Sequence, residues 1–323
     1  MAAIEAEKLR RTYKSTSGFP RRRTKTIEAV RGIDFEVGEG ELFGLLGPNG
    51  AGKTTTIKML VTLLIPTSGT ARVLGLDVVR DARAVRRKIG YVFGGERGAY
   101  DRLSGLDNLR YFAELYGVPP KVQKRRIPEL LELVGLTGRE KDRVEGYSRG
   151  MKQRLHIARG LLHDPPVVVL DEPTIGLDPV GARELRHTVA ELARSGKSVL
   201  LTTHYMYEAD ALCNRIAVIA HGEIVATGTP SDLKSIVADR TVVEIEAFGA
   251  PEETIRRLRE APGVTSVAVE DREQAQVLVV QSPHGLELTQ ELLGYLDGVR
   301  VGRVAAREPT LEDAYVSLVT EGR

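Results

Sequence analysis

Up to about residue 230, the strongest pattern is a series of short apolar runs that do not alternate with polar residues. Positions 41–47 (ELFGLLG) and 167–170 (VVVL) are of this kind, and 198–203 and 215–220 read alike. Successive apolar residues suit strands covered on both faces, as in a parallel sheet flanked by helices. A turn of Gly, Pro, Asn and Gly closes the first run, and 53–64 follows it with the look of a helix. Between 104 and 143 the period changes. Leu106, Leu109, Phe112 and Ala113, then Leu130, Leu131 and Val134, recur at helical spacing and predict a helical subdomain at about 100–160.

Gly228, Thr229 and Pro230 break the pattern, and a second rhythm begins. It predicts strand (241–247), helix (251–260), strand (264–270), strand (274–281), helix (286–296) and strand (299–305). That order, βαββαβ, is the ferredoxin-like split motif. A last helix places Leu311, Ala314, Tyr315, Leu318 and Val319 on one stripe, with Thr310 and Asp313 as a capping box. The reading is therefore an α/β domain over 1–230 and a small α+β extension over 231–323.

Composition narrows the classes. Apolar residues at 42% and charged residues at 28% exclude a disordered or fibrous chain. Basic and acidic residues number 46 and 44, a net charge of +2, which gives no reason to expect a nucleic-acid partner. The single cysteine, Cys213, excludes a disulfide framework and a cysteine-based zinc site, and fits a reducing cytosol. No apolar run approaches the ~20 residues of a membrane helix, and the N-terminal MAAIEAEKLRRTYK has no apolar core of signal-peptide length. The expected location is cytoplasmic, with any membrane role exercised through a partner. The basic run at 21–25 reads as a solvated turn between edge strands.

Residues 47–54, GPNGAGKT, match G-x-x-x-x-G-K-[ST] directly after a strand and at the start of a helix. Glycines let backbone N–H groups close on a phosphate, and the helix N-terminus adds free donors and partial positive charge. Lys53 then reaches the β- and γ-phosphates, and the Thr54 hydroxyl takes a Mg²⁺ position. Gly47, Asn49, Gly50, Gly52 and Thr55 complete the cradle. By itself this loop leaves kinases, GTPases, helicases and transport ATPases open. Read alone, Asp171 and Glu172 suit a strand-end capping pair. Behind a phosphate loop, the same strand end makes Asp171 a Mg²⁺ ligand and Glu172 the base that orients and deprotonates a water.

Five motifs in order then resemble the ATP-binding cassette (ABC) family. The phosphate loop is the first. Tyr147-Ser148-Arg149-Gly150-Met151-Lys152-Gln153-Arg154 is similar to the family's signature, with Arg149 and Met151 replacing its second glycine and its glutamine. The stretch 171–179, DEPTIGLDP, resembles the Walker B strand and the loop after it, ending at Asp178. Thr202-Thr203-His204 resembles the switch-histidine strand end, and Tyr13 holds the place of the adenine-stacking aromatic. Alone, His204 would suit a buried strand-end histidine, and Phe19 or the loop at 21–23 competes with Tyr13 for the base.

The resemblance implies a P-loop NTPase fold that binds ATP and Mg²⁺ and acts as a homodimer. Each ATP would lie between the P-loop of one copy and the Ser148/Gly150 tip of the other. Glu172, His204 and Lys53 would be catalytic. The resemblance also implies a separate-chain permease, seated in a groove by the helical segment and the 94–100 loop, which would hold the chain on the inner face of the membrane. The tail resembles extensions of multidrug, antibiotic and sodium exporter ATPases, so drug or ion efflux is the expected use. One departure concerns 94–96. Where the family carries a glutamine that completes the Mg²⁺ shell, this chain has Gly94-Gly95-Glu96, leaving Glu96 or a water to substitute. The competing readings are a soluble ABC ATPase working on nucleic acid or ribosomes, and a regulatory module that holds ATP without turnover. Near-neutral charge opposes the former and intact Glu172 and His204 oppose the latter.

Overall fold

The structure is a computed structural model that describes residues 2–17, 23–94, 98–237, 240–272, 275–283 and 285–321. The chain divides into two compact units, Met1–Thr229 and Pro230–Arg323.

In the first unit, β1 (Ala2–Ser17) and β2 (Arg23–Gly38) form a long antiparallel pair. β3 (Leu42–Leu46) runs into the glycine-rich turn and α1 (Lys53–Leu60). β4 (Ser68–Val73) and β5 (Leu76–Asp77) complete a four-stranded sheet in the order β2-β1-β4-β5. After α2 (Ala82–Arg86) and β6 (Ile89–Phe93) come three helices, α3 (Gly105–Leu115), α4 (Pro120–Leu133) and α5 (Arg149–Gly160). The rest alternates: β7 (Val167–Asp171), α6 (Pro179–Arg194), β8 (Ser198–Thr203), α7 (Met206–Leu212), β9 (Arg215–Ala220) and β10 (Glu223–Gly228).

The central sheet has the order β10-β9-β3-β8-β7-β6. β9, β3, β8, β7 and β6 are parallel and β10 is antiparallel. Every residue of β3, β7 and β8 is buried, which is why their sequences lack alternation. Because β3 and β7 both flank β8 in parallel register, Leu46, Asp171 and Thr202–Thr203 finish at one edge. Functional groups in such sheets collect at that carboxyl edge.

The helix expected over 53–64 stops at Leu60. Thr62 is left-handed (φ 64°), and the Leu63 and Leu64 amides both turn back to the Lys58 carbonyl, at 2.8 and 2.9 Å. Gly44 in β3 has a packing cause: a Cβ there would meet the Cys213 sulfur at 2.8 Å. Cys213 is buried, and that burial pushes its thiol far above the ordinary range.

The second unit opens with α8 (Pro230–Ser235). Then come β11 (Thr241–Phe248), α9 (Glu252–Arg259), β12 (Ser266–Arg272), β13 (Ala275–Ser282), α10 (Gly285–Tyr295), β14 (Arg300–Arg307) and α11 (Leu311–Glu321). The strands form one antiparallel sheet in the order β12-β13-β11-β14. Val243, Ile245, Leu278 and Val280 pack with Ile255, Leu258 and Leu292 of α9 and α10. Val242, Val277 and Val279 cluster separately, as strand alternation requires. Thr310 and Asp313 start α11: the Asp313 carboxylate accepts from the Thr310 amide (2.7 Å) and hydroxyl (2.8 Å). Arg307 clamps the same carboxylate (2.6 Å) and also bonds Glu244 (2.6 Å).

Candidate functional site

The turn between β3 and α1 wraps its own lysine. Lys53 is 3% exposed, and its Nζ donates to the Gly47 carbonyl (2.6 Å) and the Pro48 carbonyl (3.1 Å). A third neighbour is Glu172 Oε1 at 3.1 Å. Gly52 sits at φ 112°, a left-handed backbone, with the Ala29 carbonyl 2.6 Å from where a Cβ would stand; only glycine fits. Above the turn lies a small cavity of about 140 Å³, lined by Asn49, Gly50, Gly52, Lys53, Thr54 and Thr55, with Glu172 also on its wall. A Cβ at Gly50 would meet nothing within 4 Å, so backbone N–H groups there are open to a ligand.

Asp171 ends β7 beneath this cavity and is 6% exposed. Its Oδ1 accepts from the Thr202 hydroxyl at 2.6 Å and from the Thr54 hydroxyl at 3.5 Å. Burial raises its pKa, the Thr202 bond works against that, and neighbouring Glu172 raises it again; the net direction is up. Glu172 has φ 48°, an uncommon conformation for a residue with a side chain. Its amide is fixed by the Thr202 carbonyl (3.1 Å) and hydroxyl (3.0 Å). The carboxylate spans two partners, with Oε1 near Lys53 and Oε2 3.3 Å from His204 Nδ1. Lys53, Thr54, Asp171, Glu172 and His204 thus meet at one sheet edge.

Three residues of this cluster escaped the sequence reading. Thr202 holds both Asp171 and Glu172, whereas the Thr202-Thr203-His204 pattern points only to the histidine. Tyr91 of β6 has its hydroxyl pKa raised by burial and by Asp171. Glu208, 3% exposed, accepts at Oε2 from the hydroxyls of Thr174 (2.9 Å) and Thr203 (3.0 Å), tying the segment after β7 to the end of β8. Its position four residues after His204, in the first turn of α7, was the available signal.

Other expected residues lie elsewhere within this chain. Ser148 caps α5, accepting from the Met151 amide at 3.2 Å, and Asp178 caps α6, accepting from the Gly181 amide at 2.9 Å. The two helix tips are neighbours: a Cβ on Gly150 would stand 3.7 Å from the Gly181 Cα. None of Ser148, Gly150 and Asp178 lines the cavity above Lys53. Tyr13 is 37% exposed, opposite Ile27 on β2, with the Arg11 guanidinium 4.8 Å over its ring. It does not line that cavity either. Phe19 and Arg21–Arg22 fall outside the described residues, as does the side chain of Arg23.

Gly94 has a steric explanation. Its amide donates to the Asp171 carbonyl at 2.7 Å, and a Cβ would lie 2.3 Å from the Glu172 carbonyl oxygen. No side chain fits between these strand ends. Gly95 and Glu96 lie outside the described residues.

The oxygens of Thr54 and Asp171 suit a hard cation. Among the described residues no group of three or more His, Cys, Asp or Glu side chains could hold a metal alone. A Mg²⁺ ion fits that limit, because it usually keeps waters and phosphate oxygens in its shell and needs only one or two protein ligands.

Comparison with known proteins identifies the family. Residues 30–175 match the ABC transporter family model. The linearmycin resistance ATP-binding protein of Bacillus subtilis is 35% identical over 317 residues, 98% of this chain and 97% of that one. A daunorubicin resistance ATP-binding protein of Streptomyces coeruleorubidus is 39% identical over 92% of each chain. Among solved structures, a dimeric ATP-binding cassette in a post-hydrolysis state, bound to ADP and Pi, superposes with a TM-score of 0.61 at 25% identity. The match covers 70% of this chain and 98% of that one.

Proposed function

The chain belongs to the ATP-binding proteins of ABC transporters, and from that membership we propose that it is the ATP-hydrolysing subunit of an exporter for a drug-like or antibiotic molecule. The observation that carries the catalytic part is the Glu172 carboxylate, set between Lys53 and His204 on the wall of a glycine-lined cavity. The names of the resistance proteins, whose whole length this chain nearly matches, support the export part.

In this reading ATP is the substrate and the turn around Gly50 its phosphate cradle. Lys53 supplies the positive charge for the β- and γ-phosphates, a role its burial strengthens. Thr54 and Asp171 hold Mg²⁺, which when bound neutralises phosphate charge. Glu172 Oε takes the proton from the attacking water. His204, against the other carboxylate oxygen, orients Glu172 and faces the γ-phosphate. Thr202 bonds the Asp171 carboxylate and the Glu172 backbone amide, and so fixes the metal ligand and the base relative to each other. Tyr13 serves the adenine.

Ser148, Gly150 and Asp178 act in trans. Their tips stand apart from the chain's own cavity, and the capped end of α5 presents backbone donors to a nucleotide held by a second copy. Closure of the homodimer on ATP and reopening after hydrolysis would drive a separate-chain permease, which keeps the protein at the inner membrane face. No helix among the described residues is long and apolar enough to cross a membrane, which accords with a separate permease. The cleft between the sheet core and the helical segment receives that permease's cytoplasmic helix.

Replacing Glu172 with Gln keeps shape and removes the base. Turnover should fall by about 10²–10⁴-fold, ATP affinity should stay within a few-fold, and an ATP-dependent dimer should appear by size-exclusion chromatography. Wild-type turnover in this variant would remove Glu172 from the base role.

A further inference from the structure

Glu208, in the first turn of α7, is a buried carboxylate that does not line the phosphate cavity. Its ion-pair partner is Arg186 of α6, at a long 3.5 Å. Taking a carboxylate out of water is costly unless its lone pairs are met, and one long ion pair does not meet them. Two hydroxyls supply the rest. Thr174 and Thr203 both donate to Oε2, at 2.9 and 3.0 Å. Both threonines are buried as well, so neither bond competes with water.

Each hydroxyl belongs to one side of the candidate site. Thr203 precedes His204, and its hydroxyl oxygen accepts from the Tyr205 amide at 2.9 Å, so the chain is held on both sides of the histidine. Thr174 follows Glu172 by two residues. The Thr174 carbonyl accepts from the Leu177 amide and the Glu172 carbonyl from the Ile175 amide, each at 3.2 Å, which folds this stretch into a tight turn. One carboxylate oxygen therefore fixes two backbone segments whose side chains approach each other, His204 Nδ1 lying 3.3 Å from Glu172 Oε2. Glu172 needs such support, because its φ of 48° is a conformation that the surroundings must enforce.

Helix capping alone does not account for this placement. An acid at this point of a helix that served only as a cap would reach back to the amide at the helix start. Here the Thr203 hydroxyl has taken the Tyr205 amide, and Glu208 accepts from side chains on two other segments.

We propose that Glu208 is a positioning residue for hydrolysis. Through Thr203 and Thr174 it sets the separation of His204 and Glu172, and with it the place of the attacking water. The proposal rests on the catalytic reading above and adds to it the group that holds base and histidine in register. Its effect belongs to the chemical step, since the cradle around Lys53 is lined by other residues.

The test compares the full-length wild-type protein with Glu208→Ala, Glu208→Gln and Thr203→Val. Melting temperature, ATP affinity by calorimetry and kcat at saturating ATP are measured for each. Glu208→Ala should lower kcat by about 10- to 100-fold, the scale of a small misplacement of reacting groups, with ATP affinity within a few-fold of wild type. Glu208→Gln keeps an oxygen for both hydroxyls and gives up the charge facing Arg186. It should melt lower, as the alanine variant does, yet recover most of the lost turnover. A purely structural role would move stability and rate together. Thr203→Val removes one hydroxyl at nearly constant shape and should also lower kcat; combined with Glu208→Ala, the two losses should not add. Wild-type kcat in Glu208→Ala overturns the proposal, and Thr203→Val decides it in the same way if the alanine variant does not fold. Losses of kcat that track melting temperature in the alanine and glutamine variants alike, or a loss of ATP affinity in place of kcat, also overturn it. Slow turnover of Glu172→Gln beside any of these results leaves the catalytic reading standing. Wild-type turnover of Glu172→Gln removes that reading and the proposal together.

Discussion

His156 brings both ring nitrogens into the interior of the cassette unit at 1% exposure, where neither finds a hydrogen-bond partner among the described residues. Burial, helped by the charges of Arg159 and Lys152, pushes its pKa down to about 4 from the ordinary 6.5. Between about pH 4 and 6.5 the ring is therefore neutral in the folded state while the unfolded chain is protonated there. Between pH 6.5 and about 4 the unfolded state binds the extra proton, so stability falls as pH falls through that window. The full effect is on the order of 3 kcal/mol. His156→Met keeps an apolar side chain of similar bulk and has no proton to bind. Denaturant unfolding at pH 7 and pH 4.5 should show a smaller acid loss in the variant than in the wild type; equal losses would contradict the assignment.

At the scale of elements, α11 shows how a short sequence signal becomes a buried junction. Asp313 stabilises the start of its helix and the end of β14 together, through Thr310 and Arg307. Burial alone would raise its pKa, but Arg307 and Thr310 overcome that and hold the carboxyl below its ordinary value. Its contribution is thus complete above about pH 4 and disappears as pH falls below the ordinary carboxylate range. Asp313→Ala removes the cap and leaves Arg307 with Glu244 alone, a cost of about 2–3 kcal/mol. Hydrogen exchange at the β13 amides of Val277 to Val280 should accelerate by about 30- to 150-fold at neutral pH. Unchanged protection would show that the junction does not stabilise the sheet. The capping box was legible because its two residues are three apart. Arg307 was not, since nothing in the local pattern marks an arginine at a strand end as the partner of a helix cap. The same limit applies to Glu208 and Thr202, whose partners Thr174 and Asp171 lie 34 and 31 residues away along the chain. The early end of α1 was hidden too, because Leu63 and Leu64 continue an apolar pattern while the backbone has already turned at Thr62.

For the molecule as a whole, the parallel sheet was readable because strands buried on both faces cannot alternate. The phosphate turn was readable because its spacing reflects a local steric demand. A relation between copies is proposed only through resemblance: the tips bearing Ser148 and Asp178 serve as helix caps within one chain, and a cap looks the same whether or not a partner's nucleotide meets it. A substitution that separates the two uses is Ser148→Arg. The bulky cation should block approach of a second copy, abolishing turnover and the ATP-dependent dimer, while ATP affinity of the monomer stays within a few-fold by calorimetry. Persistent turnover would mean that hydrolysis needs no donor in trans.

Cys213, packed against Gly44 with its thiol held protonated by burial, is nearly inert toward electrophiles. The chain is thus a natural background for labelling. Maleimide-linked spin probes at introduced cysteines, for instance in place of the exposed Ile65 and Val180, would report on the proposed opening and closing with the native sulfur left intact.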